Sequence, residues 1–138
     1  MEVLVDDRYN KMYIDEEASI HYHITKKDTM YMTEQEFRDM LMTYKGSVIE
    51  NKPSLILIDN RELQFPISPD LQDWITQHVT IPIIQTGLTG KCCFVLPKEL
   101  ISKLSISQLS QEMSAAQNIM KLKYFADFEE AKNWLLAA

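Results

Sequence analysis

Ser54-Leu55-Ile56-Leu57-Ile58-Asp59, reached through Lys52-Pro53 and left through Asn60-Arg61, is the stretch on which the fold turns. Consecutive aliphatic residues between turn formers make too short a run for a helix and leave no polar face for water. The segment therefore predicts a central strand buried on both sides. Such a strand needs cover above and below. Helical periodicity precedes and follows it, as parallel strands joined by crossover helices require.

Working back toward the N-terminus, Thr33-Glu34-Gln35-Glu36 is a capping box, with Met32 and Phe37 placed as a hydrophobic staple. Phe37, Met40, Leu41, Tyr44 and Val48 recur at helical spacing as the buried stripe. Met42 and Ile49 fall off that stripe, so they are candidates for an exposed apolar interaction surface. Ahead of this helix, residues 2 to 5 and 11 to 24 alternate as antiparallel strands separated by polar turns, a meander with one buried side. Ile20, Tyr22 and Ile24 share one face of its last strand, and His21 and His23 share the other, expected to be wet. Two imidazoles at this spacing can begin a metal site, but no further ligand stands at a matching spacing. The pair is read as solvated, and only weakly as a metal candidate.

Toward the C-terminus, Asn60 to Ile67 reads as a loop, and Ser68-Pro69 as an N-cap followed by proline at the first helical position. Leu71, Trp74, Ile75, His78 and Val79 give the buried face of a second helix, expected to stop near Thr80 because Pro82 disfavours helical geometry at Ile81. Cys92 to Leu96 is another buried strand, followed by a short helical turn over Glu99 to Leu104. Ser105 and Gln108 form a second capping box for a helix carrying Leu109 and Met113. Met120 to Phe125 is a last strand whose alternating Lys121 and Lys123 mark a sheet edge. Asp127, with Glu130, caps a closing helix that buries Phe128, Ala131, Trp134 and Leu135. The expected fold is one α/β domain over residues 1–138. Its mixed sheet has N-terminal antiparallel strands, then parallel strands joined by crossover helices.

With 138 residues, 46% hydrophobic and 25% charged, the chain is long enough for one core that needs neither metal nor disulfide. A net charge of -6 with scattered basic residues argues against a nucleic-acid partner. Adjacent Cys92 and Cys93 would point to opposite faces of a strand, so they read as buried free thiols of a reducing compartment. The first residues carry neither a basic nor a long apolar leader segment, and no window approaches the ~20 apolar residues of a membrane span. A cytoplasmic protein is expected. No cofactor is expected either: the loop Thr86-Gly87-Leu88-Thr89-Gly90-Lys91 has two residues between its glycines and Cys92 after its lysine, which is not the phosphate-binding fingerprint. No nucleophile elbow accompanies His78.

Open α/β sheets bind ligands at the carboxyl ends of their strands, and helix N-termini favour anions. Asp59, Asn60, Arg61 and Ser68 are therefore the ligand or switch candidates. The strand Leu55-Ile56-Leu57-Ile58-Asp59, the strand Lys91-Cys92-Cys93-Phe94-Val95-Leu96-Pro97, and the ending Tyr124-Phe125-Ala126-Asp127-Phe128-Glu129-Glu130-Ala131-Lys132-Asn133-Trp134-Leu135 together resemble the STAS-like family. This is the domain of anti-sigma-factor antagonists and sulfate-transporter tails, and of small stand-alone proteins grouped with it and with Sec14-type lipid-binding domains. The resemblance implies a STAS-like fold and a non-enzymatic, regulatory domain that acts through a protein partner or as a homodimer. A carrier or sensor of a small or lipid-like ligand is the second reading, and an uncharacterised hydrolase the third. In the antagonists the helix after the central strand begins Asp-Ser-Ser/Thr-Gly, and its serine is phosphorylated to switch partner binding. Ser68 stands at the matching place, but Ile67-Ser68-Pro69-Asp70 lacks both the aspartate before and the glycine after.

Overall fold

The structure, a computed structural model, describes residues 1–88, 90–103 and 121–137. Six strands lie side by side in the order of the sequence: β1 (Glu2–Asp6), β2 (Asn10–Asp15), β3 (Ile20–Thr25), β4 (Leu55–Asp59), β5 (Lys91–Val95) and β6 (Lys121–Phe125). β1, β2 and β3 pair antiparallel, and β3 through β6 pair parallel. The α/β architecture and the mixed sheet expected from the sequence are both present. The second capping box, at Ser105 and Gln108, and the stripe residues Leu109 and Met113 lie outside the described residues.

β4 is central as predicted, with Ile56 and Leu57 buried on opposite faces. The helix α1 (Glu34–Asn51) crosses from β3 to β4; α2 (Pro69–Ile75), a π-helical turn (Thr76–Thr80) and α3 (Ile81–Gln85) lie between β4 and β5. Crossovers of one hand that step in one direction across a sheet put their helices on one face. On that face Tyr44, Val48, Val79 and Ile83 pack over Met12, Ile56 and Cys92. The closing helix, α5 (Phe128–Leu136), covers the other face, where Ala131 and Leu135 meet Tyr22, Leu57, Cys93 and Val95. The short α4 (Lys98–Lys103) follows β5. Cys92 and Cys93 are buried free thiols on opposite faces, as their adjacency in a strand dictates.

Both halves of the Thr33 capping box form: Thr33 Oγ1 accepts from the Glu36 amide at 3.1 Å, and Glu36 Oε1 accepts from the Thr33 amide at 3.0 Å. The staple residues Met32 and Phe37 meet in one apolar cluster. α1 ends on Lys52, whose left-handed backbone (φ 48°) turns the chain into Pro53 and β4.

Two expectations need correction. The helix after β4 does not stop at Thr80. The amide of Ile81 reaches five residues back to the Thr76 carbonyl, and this wider turn makes room for Pro82 inside α3. In an unbroken α-helix the proline ring would strike the carbonyl four residues earlier. The extra residue also resets the apolar stripe: Val79 and Ile83 point inward, while His78 is exposed and stacks on Trp74 at 4.9 Å. His78 is therefore no core histidine. Second, β3 has no wet face. Its parallel pairing with β4 places it third of six strands, under α1 on one side, so His21 and His23 are buried with 0% and 2% exposure.

Lys91 has a role the sequence does not reveal. Its Nζ donates to the Trp134 carbonyl at 2.8 Å and the Ala137 carbonyl at 2.6 Å, and sits 5.1 Å from the Trp134 ring centroid. These carbonyls lie at the C-terminal end of α5, where a cation satisfies groups the helix cannot. Replacing Lys91 with Met should cost about 1–3 kcal/mol, the range for hydrogen bonds to a charged donor. Urea denaturation monitored by Trp134 fluorescence measures this, and an unchanged midpoint would refute the tie.

Candidate functional site

The carboxyl end of β4 carries three of the predicted ligand candidates, Asp59, Asn60 and Arg61, and ties them to neighbouring groups. Asp59 is buried and Arg61 half in water. The guanidinium grips the carboxylate through both oxygens, at 3.0 Å from Nε and 2.7 Å from Nη2, and lies 5.8 Å from the Phe128 ring centroid. Thr25 Oγ1 donates toward the Asp59 carbonyl and Asn60 Oδ1, and the Asn60 amide donates to the Val95 carbonyl at 2.8 Å. Asp59, Asn60 and Arg61 thus close the end of β4 against β3, β5 and α5. Ser68 is exposed and caps α2, its Oγ accepting from the Leu71 amide at 3.1 Å. Met42 and Ile49 are both exposed on α1, seven residues apart and so on one side of the helix.

The buried histidines form part of a polar array under α1. The Nε2 of His23 donates to Asn10 Oδ1 at 3.0 Å. This orientation follows from the other end of the same amide, where Asn10 Nδ2 donates to Asp7 Oδ1. The Nε2 of His21 bonds Ser47 Oγ at 2.8 Å, while its Nδ1 has no hydrogen-bond partner among the described residues. The Tyr44 ring stacks on His23 at 5.0 Å and meets His21 edge-on at 5.7 Å. Burial lowers the imidazole of His21 to about 4; burial, then the neighbouring His21, lowers that of His23 to about 3. Both are neutral at physiological pH. Among the described residues no group of three or more His, Cys, Asp and Glu side chains is placed to hold a metal ion. Nothing local to His21 points to Ser47, 26 residues further along the chain, as its partner. Asn10 was legible in principle, because Asn10, Met12 and Ile14 alternate on one side of β2, and the antiparallel register carries that side to His23.

The thiols are equally closed. Burial pushes Cys93 up to about 12 and Cys92 higher still, so neither is a thiolate nucleophile. Tyr22, whose buried hydroxyl has no partner among the described residues, is pushed up to about 12 by burial. It stacks between Tyr13 at 4.4 Å and Phe128 at 6.1 Å.

Hollows open on the surface formed by the described residues. One, of about 400 Å³, lies between Met1, Glu2 and the β2–β3 turn at Asp15, Glu16 and Glu17, and has mostly charged walls. The other, of about 260 Å³, lies between the β1–β2 turn and the first half of α1, with methionines at its floor. Sequence reading missed this second groove, because its walls come from the β1–β2 hairpin, the turn at Met32 and α1.

Among the described residues no helix is long and apolar enough to cross a membrane. No family model and no solved structure matches the chain. A cathepsin L-like proteinase of Phaedon cochleariae is similar to it, 30% identical over 84 residues, a match covering 61% of this chain and 24% of that protein. The chain therefore spans about a quarter of the length of that relative.

Proposed function

We propose that this is a non-enzymatic, STAS-like regulatory domain of the cytoplasm that works by docking on a protein partner or on a second copy of itself. The observation that carries the proposal is a contrast: the thiols and the β3 imidazoles are sealed in the core in neutral form, while Met42 and Ile49 stand exposed on one side of α1. Thiol-based acyl transfer needs an accessible, activated thiol, and Cys92 and Cys93 are neither. The cytoplasmic placement rests on two unpaired thiols, which an oxidising compartment disfavours. Ser68 enters as a helix cap rather than as a phosphorylation switch, since Ile67 and Pro69 flank it where the antagonists carry aspartate and glycine.

Native mass spectrometry of the protein isolated from its own cells tests the reading. We expect a dimer or a complex with a second protein, reduced to monomer by the pair Met42→Glu and Ile49→Glu. These substitutions lie off the core stripe, so the thermal midpoint should stay nearly unchanged. A monomer at every concentration, identical for wild type and variant, would sink the proposal.

A further inference from the structure

The groove between the β1–β2 turn and α1 divides its residues by chemistry. Met12, Met32 and Met40 at its floor are 1%, 9% and 7% exposed, and Val5 beside them is half-buried. Every lining residue that is exposed is polar: Asp7, Glu36, Asp39 and Thr43. No lining residue is basic.

None of the three carboxylates belongs to an ion pair among the described residues. One oxygen of each is already engaged. Asp7 Oδ1 accepts from Tyr9 and Asn10, Glu36 Oε1 from the Thr33 amide, and Asp39 Oδ1 from Gln35 Nε2. Their second oxygens have no donor among the described residues. Lys26 reaches Asp6 and the Asp7 carbonyl but does not line the groove.

Position in the fold adds to the argument. The groove lies between the β1–β2 hairpin and α1, and none of its lining residues belongs to β3 or β4; Asn10, at its edge, is opposite Thr25 in the β2–β3 register. Thr25 ends β3, so the groove is at the same end of the sheet as the carboxyl ends of the parallel strands, to one side of the change from antiparallel to parallel pairing between β3 and β4.

We propose that this groove binds a free organic cation, a primary ammonium or guanidinium group on a short apolar body. The body rests on the methionines, whose flexible thioethers adapt to varied shapes. The cation faces Asp7, Glu36 and Asp39. A volume of about 260 Å³ suits a ligand of about ten non-hydrogen atoms, at the ~30 Å³ a water occupies in the liquid. Nor does the rim offer exposed apolar area for the dry centre of a protein interface, which favours a free molecule over a partner's side chain.

The test is an amide-resolved NMR titration of the full chain with 2-phenylethylamine, against 2-phenylethanol as its neutral isostere. The amine should bind saturably with a Kd on the order of 1 mM, as a ligand of that size permits. Shifts should centre on Asp7, Asn10, Met12, Glu36 and Met40. The alcohol should bind about tenfold more weakly or worse, because a cleft lined by one sign of charge concentrates the opposite ion. The combined variant Asp7→Asn, Glu36→Gln, Asp39→Asn keeps every acceptor described above, and should lose about tenfold in amine affinity at an unchanged thermal midpoint. Asp39→Arg should block the site with a tethered guanidinium. Equal affinity for amine and alcohol, shifts elsewhere in the sheet, or binding confined to an arginine-bearing peptide would each overturn the proposal.

Discussion

Gly90→Ala is expected to be the most damaging single methyl group in the chain. A Cβ at Gly90 would fall on the backbone carbonyl of Ser54, closer than any non-bonded contact allows. Neither side can give way cheaply. The Ser54 and Leu55 amides are tied to the Ser19 carbonyl, and the Gly90 carbonyl accepts from the Lys121 amide. Leu55 pairs with Lys91 one residue further on. Separating them would open the sheet where β3, β4, β5 and β6 begin. We expect a loss of about 4 kcal/mol or failure to fold, the range reserved for overpacking that backbone movement cannot relieve. Gly46 supplies the internal control, since a methyl there meets nothing within 4 Å on an exposed position of α1. Gly46→Ala should stabilise by about 0.5–1 kcal/mol, the helix-propensity difference. Chemical denaturation of the two variants checks both signs, and a Gly90→Ala protein as stable as wild type would refute the close approach.

Mild acid should destabilise this protein through His21 and His23. His21 and His23 have folded-state values of about 4 and about 3, against about 6.5 in an unfolded chain. Below pH 6.5 the unfolded state therefore binds two protons that the folded state refuses, and stability rises with pH in that window. The stabilisation is complete above the unfolded value. It falls as pH drops through 6.5, and goes on falling until the folded values are reached. Each histidine contributes about 1.4 kcal/mol per pH unit, so the pair should remove about 2.7 kcal/mol between pH 7.5 and pH 5.5. The cause is visible in the geometry: a proton on His21 Nδ1 would place a charged donor in the core with nothing among the described residues to accept it. Denaturant midpoints across this range measure the slope. In a variant carrying His21→Gln and His23→Gln the slope should vanish, whatever its absolute stability. A wild-type protein equally stable at both pH values would show that these imidazoles are not sealed.

Those two predictions depend on different layers of information. The local signals stated themselves in the sequence. The aliphatic run of β4, the Thr33 capping box, the Ser68-Pro69 helix start, the Asp127 cap and the edge lysines of β6 each depend on a few neighbouring residues. Each is found where it was read. Failures came where a distant segment decided the outcome. His21 and His23 alternate with apolar residues as a half-exposed strand would, and local periodicity cannot report that α1 returns over that face. Pro82 reads as a helix stop, because the rule behind that reading does not include a π-helical turn that absorbs the ring.

The residues picked for function divide the same way. Strand-end geometry singled out Asp59, Asn60 and Arg61, yet their side chains are spent on one another and on the end of β3. The groove that remains open needed Asp7, Met12, Met32 and Glu36 to be assembled from the meander, the connecting turn and the helix. By itself the sequence determined the elements, their order and the mixed sheet, because period, caps and turn residues act within a few positions of chain. The tertiary structure alone decided which polar groups are sealed and which face water. Burial is set by what packs on a residue from far along the chain, and a polar group's chemistry follows its solvent and its partners.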